Sequence, residues 1–471
     1  MLLAAYALVF GALALLRQWT FHSTASDLAL FDQVIWNTVH GRFMESTLSL
    51  AQCVPHSFFG DHFSPALLLI VPFYLVFPHP ETLIVVQVTA LALGGWPVYL
   101  LARRFLPTSE ERLVWVAAYV LSAPLAFVTL FDFHEITLAV LPLGLATYYL
   151  ATRRTWPMVL CLAAAFLVKE EVGLIAIGFA LALAFQKRWR AAAGLGLASV
   201  AVFVVTLKAI IPAFAGVPYQ YLGRYASLGR DEAEIARTLL LDPLRVLRAL
   251  FSGEVWSKLA FVLSLFGPGL GLALRAKWAI LPAIPTLSYL LLSNYSGQHT
   301  LHNQYGAPLI PIALGASILG LRTITHERWH RRLSLAVLLT ALLFSLVLGA
   351  LPLTPGFYDA YLRGVPDRAA SGSSPFVREA RYEPFLAAVR AIPDDAKVSS
   401  RDLFTTQIPQ RRFSYNLIGL DVCDAQYVIL DYAAPSVNRD LTKHLAEIAA
   451  IEQLGFDEIA SGEGLSLLKR R

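Results

Sequence analysis

Long apolar runs broken by short polar stretches dominate the chain. A helix rises about 1.5 Å per residue, so about twenty apolar residues span the hydrocarbon of a bilayer. Such runs, taken with their basic flanks, predict about eleven spans: 2–19, 81–102, 112–130, 136–152, 157–168, 172–186, 191–211, 258–274, 278–293, 307–321 and 333–351. A long polar loop follows the first span and runs to about residue 80. Within it, the apolar stretch 66–77 is short for a span and is broken by Pro72, so it reads as an interfacial or re-entrant helix.

Past residue 351 the pattern changes. A Pro/Gly/Ser-rich linker over 352–375 precedes mixed periodicities: a helix at 383–391, short strands at 397–400 and 412–415, a buried strand at 427–430, an amphipathic helix at 439–452 and a last strand at 465–469. The expected fold is therefore mainly α. It is a polytopic transmembrane helical bundle over 1–351, joined by the linker to a small α/β domain over 376–471.

Charge sets the orientation. With a cytoplasmic N-terminus, Arg103/Arg104, Arg153/Arg154, Lys187/Arg188/Arg190, Arg275/Lys277 and Arg322/Arg328/Arg331/Arg332 all fall inside, as the positive-inside bias requires. Counting 66–77 as a span would invert every later cluster. An odd number of spans then places the C-terminal domain outside. The loop over 212–257 is the exception, with Arg224, Arg230, Arg237, Arg245 and Arg248 offset by nearby acids.

Composition agrees. The chain is 56% hydrophobic and 15% charged, with a mean hydropathy of +0.58, which excludes an ordinary soluble protein. The net charge of +5 sits in the membrane part, and no nucleic-acid motif or basic run appears. The three cysteines form no CxxC and no zinc spacing. Cys161 reads as a buried hydrophobe, whereas Cys53 and Cys423 could pair if both face an oxidising compartment. The segment before Ser23-Thr24-Ala25 lacks a basic start, so the first span reads as uncleaved.

On this topology the outer face gathers the chemistry. Asp27, Asp32, His56, Asp61, His62, Asp132, His134, Glu135, Lys169, Glu170, Glu171, Arg224, His299 and His302 all fall there, and the inner face holds almost only Arg and Lys. Carboxylates, imidazoles and cations at a membrane boundary can hold an anionic lipid phosphate while a carboxylate deprotonates a hydroxyl. Each residue also has a plainer reading. Asp27 is either a base or the N-cap of a helix over 28–40. Asp32 lies about 140° further round that helix, which suits a supporting role, although it stays among the catalytic candidates. Asp61-His62 either caps the break at Phe63-Ser64-Pro65 or binds phosphate. Asp132-x-His134-Glu135 supplies a second half of the same site or an ordinary loop. Lys169-Glu170-Glu171 would be costly in lipid, so it faces a cavity or forms an outer turn of local ion pairs. Lys208 snorkels or touches phosphate. His299 and His302 share a ligand or sit in a solvated loop.

Ser26-Asp27-Leu28-Ala29-Leu30-Phe31-Asp32-Gln33-Val34-Ile35-Trp36-Asn37, Gly60-Asp61-His62-Phe63-Ser64-Pro65 and Leu93-Gly94-Gly95-Trp96-Pro97-Val98-Tyr99-Leu100 resemble segments of a bacterial polytopic membrane protein family labelled domain of unknown function 2079. Phe133-His134-Glu135 and Val168-Lys169-Glu170-Glu171-Val172-Gly173 look like further segments of it. That family in turn resembles the GT-C superfamily of glycosyltransferases. The resemblance implies a bacterial inner-membrane protein with a polyprenyl-phosphate-linked sugar as donor. Asp27 stands in place of the acid after the first span, and His62 in place of the basic residue before the loop's second helix. No acidic pair directly follows the first span here, and Phe-Ser-Pro stands where a double proline is expected.

The expected function is an inverting membrane glycosyltransferase acting at the outer face. Asp27 would serve as base, and His62, Lys169 and Lys208 or Arg224 would hold the phosphate. Asp61 and Glu170 join them, and Asp132, His134 and Glu135 line the acceptor side or assist a divalent cation (Mg or Mn), although the resemblance does not decide the cofactor. A transporter or lipid-handling protein, or a non-catalytic envelope assembly partner, are the rival readings.

Overall fold

The computed structural model describes residues 1–49, 53–362, 376–432 and 441–471. Each expected span contains helix, but lengths differ from expectation. Leu2–Trp19, Pro80–Phe105, Trp189–Ala215, Gln304–Leu321 and Arg328–Leu348 are each long and apolar enough to cross a membrane. Ser109–Val120 with Ala123–Leu130, bent by 47°, and Pro243–Leu250 with Val255–Gly269, bent by 86°, qualify only as pairs. Glu135–Ala151, Thr155–Phe166, Val172–Phe185 and Lys277–Leu292 are shorter. By length and composition alone, five helices among the described residues could cross a membrane, or seven if each bent pair is one span.

Helix Leu309–Leu321 is buried at all of its positions and packs against Gly95–Phe105, Val140–Ala151 and Leu272–Arg275. A helix that is apolar all round suits a protein interior or lipid, and here it is the interior. Other helices turn apolar side chains outward, as Trp189–Val205 does with Leu197, Val200, Val202, Val204 and Val205.

The first long helix ends where Phe21 takes a left-handed φ of 64°, a conformation bulky residues rarely adopt. The chain then makes one π-helical turn, Ala25–Ala29, and an α-helix, Leu30–Val39. Two antiparallel strands of two residues each, Glu45–Ser46 and His56–Ser57, pair within this loop. The stretch expected as an interfacial helix is helical over Pro65–Leu69 and Val71–Val76. It buries Leu67, Ile70 and Tyr74 and exposes Leu69, Phe73, Leu75 and Val76.

The C-terminal part forms a five-stranded sheet in the order 414–416, 398–400, 427–431, 465–470, 456–462. The first three strands are parallel and the last two join antiparallel. Phe456–Gly462 was not expected as a strand, because its edge position leaves most of its residues exposed and blurs the alternation. Its hairpin turn places Glu463 and Gly464 at φ 50° and 81°, as a tight primed turn requires. Part of the expected linker is instead a helix, Pro355–Tyr361, and residues 363–375 lie outside those described.

This domain sits on the loop after the first span. Phe21 stacks on Tyr382 at 4.2 Å, Gln33 Nε2 donates to the carbonyls of Arg411 and Arg412, and Thr47 Oγ1 donates to that of Ser414. Cys53 and Cys423 are joined as a disulfide across the same interface. The short helix Asp402–Thr405 packs on the π-turn Ala25–Ala29.

Candidate functional site

Asp27 lies inside the π-turn, so it does not cap the following helix. Ala29 occupies the cap position, with no side-chain cap bond. Single π-turns rotate side chains out of register with an α-helix and recur at functional sites. Here the turn sends the Asp27 carboxylate toward the loop at residues 131–134. His134 Nε2 lies 3.0 Å from Asp27 Oδ1, and the Thr24 hydroxyl lies 3.3 Å from Oδ2. The His134 ring stacks on Phe131, and its Nδ1 donates to the Asp132 carbonyl at 3.0 Å. Gln87, a polar residue inside an apolar run, pins the loop. Its Oε1 accepts from His134 N and its Nε2 donates to the Phe131 carbonyl.

A second cluster stands opposite. Asp61 and His62 follow the turn Phe58–Gly60, where a Cβ on Gly60 would come within 2.8 Å of Ala215 N. That close backbone approach requires glycine and brings the loop against residues 214–221. Tyr221 donates to Asp61 and stacks face to face on His62, with centroids 4.9 Å apart. His62 Nδ1 pairs with Glu170 Oε1 at 2.7 Å, and Glu170 Oε2 also accepts from Phe63 N. Lys169 Nζ pairs with Glu135 Oε1 at 2.7 Å, both side chains being almost fully buried. Arg224 lies over the rings of Tyr221 and Tyr295, at 4.3 and 4.8 Å, and hydrogen-bonds Tyr305.

These groups surround two adjoining cavities. A polar chamber of about 280 Å³ is lined by Asp27, Asp61, His62, His134, Glu135, Lys169 and Arg224, with Asn303, Gln304 and several aromatic rings. An apolar pocket of about 450 Å³ is walled by Leu174, Phe203, Leu207, Leu228, Ile235, Leu239 and Leu292, with Glu170 and Glu171 near its polar end. His62, Lys169, Tyr221, Arg224 and Tyr305 line both. Glu135 Oε2 and Glu171 Oε1 are buried there without a hydrogen-bond partner.

Electrostatics tune the imidazoles and acids. Burial disfavours a charged His62 and the Lys169 cation adds to that, but Glu170 and Asp61 outweigh both and raise its pKa. Burial likewise opposes a charged His134, and Asp27 with Glu135 and the Asp132 carbonyl reverses the balance, again raising it. Burial alone would raise Glu170, but His62 and Lys169 draw it below the usual carboxylate range.

Seven of the expected site residues thus meet at the chamber, with Glu170 beside them. Asp132 does not line either cavity. Arg17 pairs with its Oδ1, and Thr24 N and Oγ1 donate to its Oδ2 at 2.8 and 2.9 Å. Asp32 is also apart, fully buried on helix Leu30–Val39, with Oδ1 accepting from Tyr74 at 2.7 Å and Oδ2 without a partner. Burial pushes its carboxyl up to about 8. Lys208 is exposed and pairs with Glu232 away from the chamber. His302 is exposed, and His299 is buried with both ring nitrogens unpartnered. Gln87, Arg17 and Thr24 went unflagged in the sequence, as did Tyr221 and Tyr305. A polar or charged residue within or closing an apolar run was the available signal for the first two. Among the described residues, the one group of three such side chains with metal-ligand spacing is Cys53, Asp421 and Cys423, and its two cysteines are already joined as a disulfide.

A helical bundle with a polar chamber at the end that carries the α/β domain is a fold that this chain shares with known structures. Two crystal structures of ArnT from Cupriavidus metallidurans, one bound to undecaprenyl phosphate and one in the apo state, match 99% of this chain at 13% identity. The TM-scores are 0.54 and 0.56, over 97% and 98% of the ArnT chain. The chain belongs to the family described as Predicted membrane protein (DUF2079), which matches residues 17–467. No curated protein matches the sequence.

Proposed function

We propose that this protein is an integral membrane glycosyltransferase. It transfers a sugar from a polyprenyl-phosphate donor to an acceptor hydroxyl at the extracytoplasmic face of the bacterial inner membrane. The observation that carries the reading is the pair of adjoining cavities. An apolar pocket suits an isoprenoid chain, a polar chamber suits a sugar, and the cations Lys169 and Arg224 with His62 stand where the phosphate between them would sit. The fold shared with ArnT, a protein crystallised with undecaprenyl phosphate, is consistent with this.

In this reading Asp27 is the base. The acceptor oxygen bonds to the sugar's anomeric carbon as the bond from that carbon to the phosphate oxygen breaks. The acceptor proton passes to Asp27, and polyprenyl phosphate leaves with the electron pair. Attack from the face opposite the leaving phosphate inverts the anomeric centre. The chamber acids lie at helix ends and in the loops between helices, which favours chemistry at the end of the bundle over a transport pathway within it. Incubation of purified protein with a panel of radiolabelled polyprenyl-phosphate sugars and envelope acceptors tests the reading. Label moving from the lipid to a second product supports it, and a panel in which every donor is left intact counts against it.

A further inference from the structure

Two routes of hydrogen bonding leave Asp132 and arrive at the same carboxylate. Its side-chain Oδ2 accepts from Thr24 N and shares the single Thr24 hydroxyl proton with Asp27 Oδ2, Oγ1 lying 2.9 Å from Asp132 and 3.3 Å from Asp27. Its backbone carbonyl accepts from His134 Nδ1, and His134 Nε2 lies 3.0 Å from Asp27 Oδ1. A carbonyl can only accept, so the Nδ1 proton is placed by its partner and Nε2 is the nitrogen left for Asp27. One residue therefore reaches both oxygens of Asp27 while lining neither cavity. Arg17 stands behind it, paired with Oδ1 and donating from Nε to the Tyr361 carbonyl at 3.2 Å. With 2% and 3% of their side chains exposed, this ion pair is shut off from any substrate.

We propose that Asp132 is the positioning residue of Asp27, held in place by Arg17. The proposal rests on the reading of Asp27 as the base and gives Asp132 no contact with sugar, phosphate or metal. A carboxylate displaced by about 1 Å from a reacting hydroxyl can lose about 100-fold in rate.

The test compares Asp132→Ala with the double variant Arg17→Leu/Asp132→Asn. The single change leaves a guanidinium buried without its carboxylate; the double change removes both charges and keeps an oxygen facing Thr24. The expected result for Asp132→Ala is a fall in kcat of about 10–100-fold, with the donor KM within about twofold of wild type. The double variant should recover most of that loss. A donor KM that rises in step with the fall in kcat would mean direct substrate contact and would overturn the proposal. So would a wild-type kcat in Asp132→Ala. Should Asp132→Ala not fold, Thr24→Val cuts the same route without stranding a charge and is read in its place. A structure of the same variant supplies a readout independent of turnover. Asp27 Oδ2 should move away from residue 24, because the Asp132 carbonyl that holds His134 is backbone and survives either substitution, and an unmoved Asp27 contradicts the positioning role. If the wild-type protein transfers no sugar, the proposed activity fails and this structural arm still decides the role of Asp132.

Discussion

Asp27 Oδ1 lies 3.0 Å from His134 Nε2, joining the turn after the first long helix to the loop that opens Glu135–Ala151. The bond is best made when the ring carries both protons, and that condition gives the site a pH signature. The folded pKa values of His134 and His62 are raised above 6.5, so the stability their pairs contribute is complete below that value and is lost as pH rises through the raised values. Glu170 is lowered from 4.5, so its contribution is present above that value and is lost as pH falls through the lowered one. Thermal unfolding in detergent should therefore show highest stability between about pH 4.5 and 6.5 and a decline on the alkaline side. His134→Gln should shrink that decline, and an identical alkaline decline in the variant would assign it elsewhere.

Arg224 and Lys169 are cations that line both cavities, but their changes should differ. Among the described residues Arg224 has no carboxylate within ion-pair distance, only aromatic and phenolic partners. Arg224→Ala should weaken donor binding by about 10–100-fold with little effect on melting, in line with loss of a charge-assisted contact. Lys169→Met strands the buried Glu135 and should cost about 3–5 kcal/mol of stability, which Lys169→Met/Glu135→Gln restores in large part. Donor titration and melting curves of the three variants separate the two roles. Equal destabilisation by Arg224→Ala and Lys169→Met would remove the distinction.

Asp32→Asn should be tolerated, whereas Asp27→Asn should not. The Asp32 carboxyl is buried with a pKa near 8, and an amide oxygen can still accept from Tyr74. The raised value means that the ionised form costs stability as pH climbs toward 8, so Asn should match or exceed wild type in melting above that pH. Loss of transfer in a folded Asp32→Asn protein would return Asp32 to the catalytic set.

Much of this site was readable along the chain because its parts are local. Asp27, Asp61-His62, Asp132-x-His134-Glu135 and Lys169-Glu170-Glu171 each break an apolar run, and polar groups at the ends of spans tend to face one another. What the pattern could not carry was geometry set by distant partners. Asp132 and His134 look equivalent in sequence, yet Arg17 withdraws the first from the chamber and the Asp132 carbonyl turns the second into it. Asp27 resembles an N-cap until the chain inserts a π-turn. Tyr221 and Tyr305 sit in short 3₁₀ turns, Gln220–Tyr225 and Gln304–Gly306, with no local signal, and their place follows from packing against His62 and Arg224. The bundle and the α/β domain were legible from periodicity, but bends and short helices were not, because hydropathy reports burial in lipid and burial in protein alike.

The disulfide between Cys53 and Cys423 offers a test of orientation. In Cys53→Ser cells the freed Cys423 thiol should react with a membrane-impermeant maleimide added outside the inner membrane, and the wild-type protein should not. Labelling only after the cytoplasmic face is opened would invert the topology proposed here.

Single-turnover transfer measured beside donor binding tests the central claim most directly, using wild type and Asp27→Asn with one radiolabelled polyprenyl-phosphate sugar. The account predicts that both proteins bind the donor with similar affinity and that only wild type releases polyprenyl phosphate and forms glycosylated product, the variant being slower by at least about 1,000-fold. Transfer by a folded Asp27→Asn protein at the wild-type rate would contradict it.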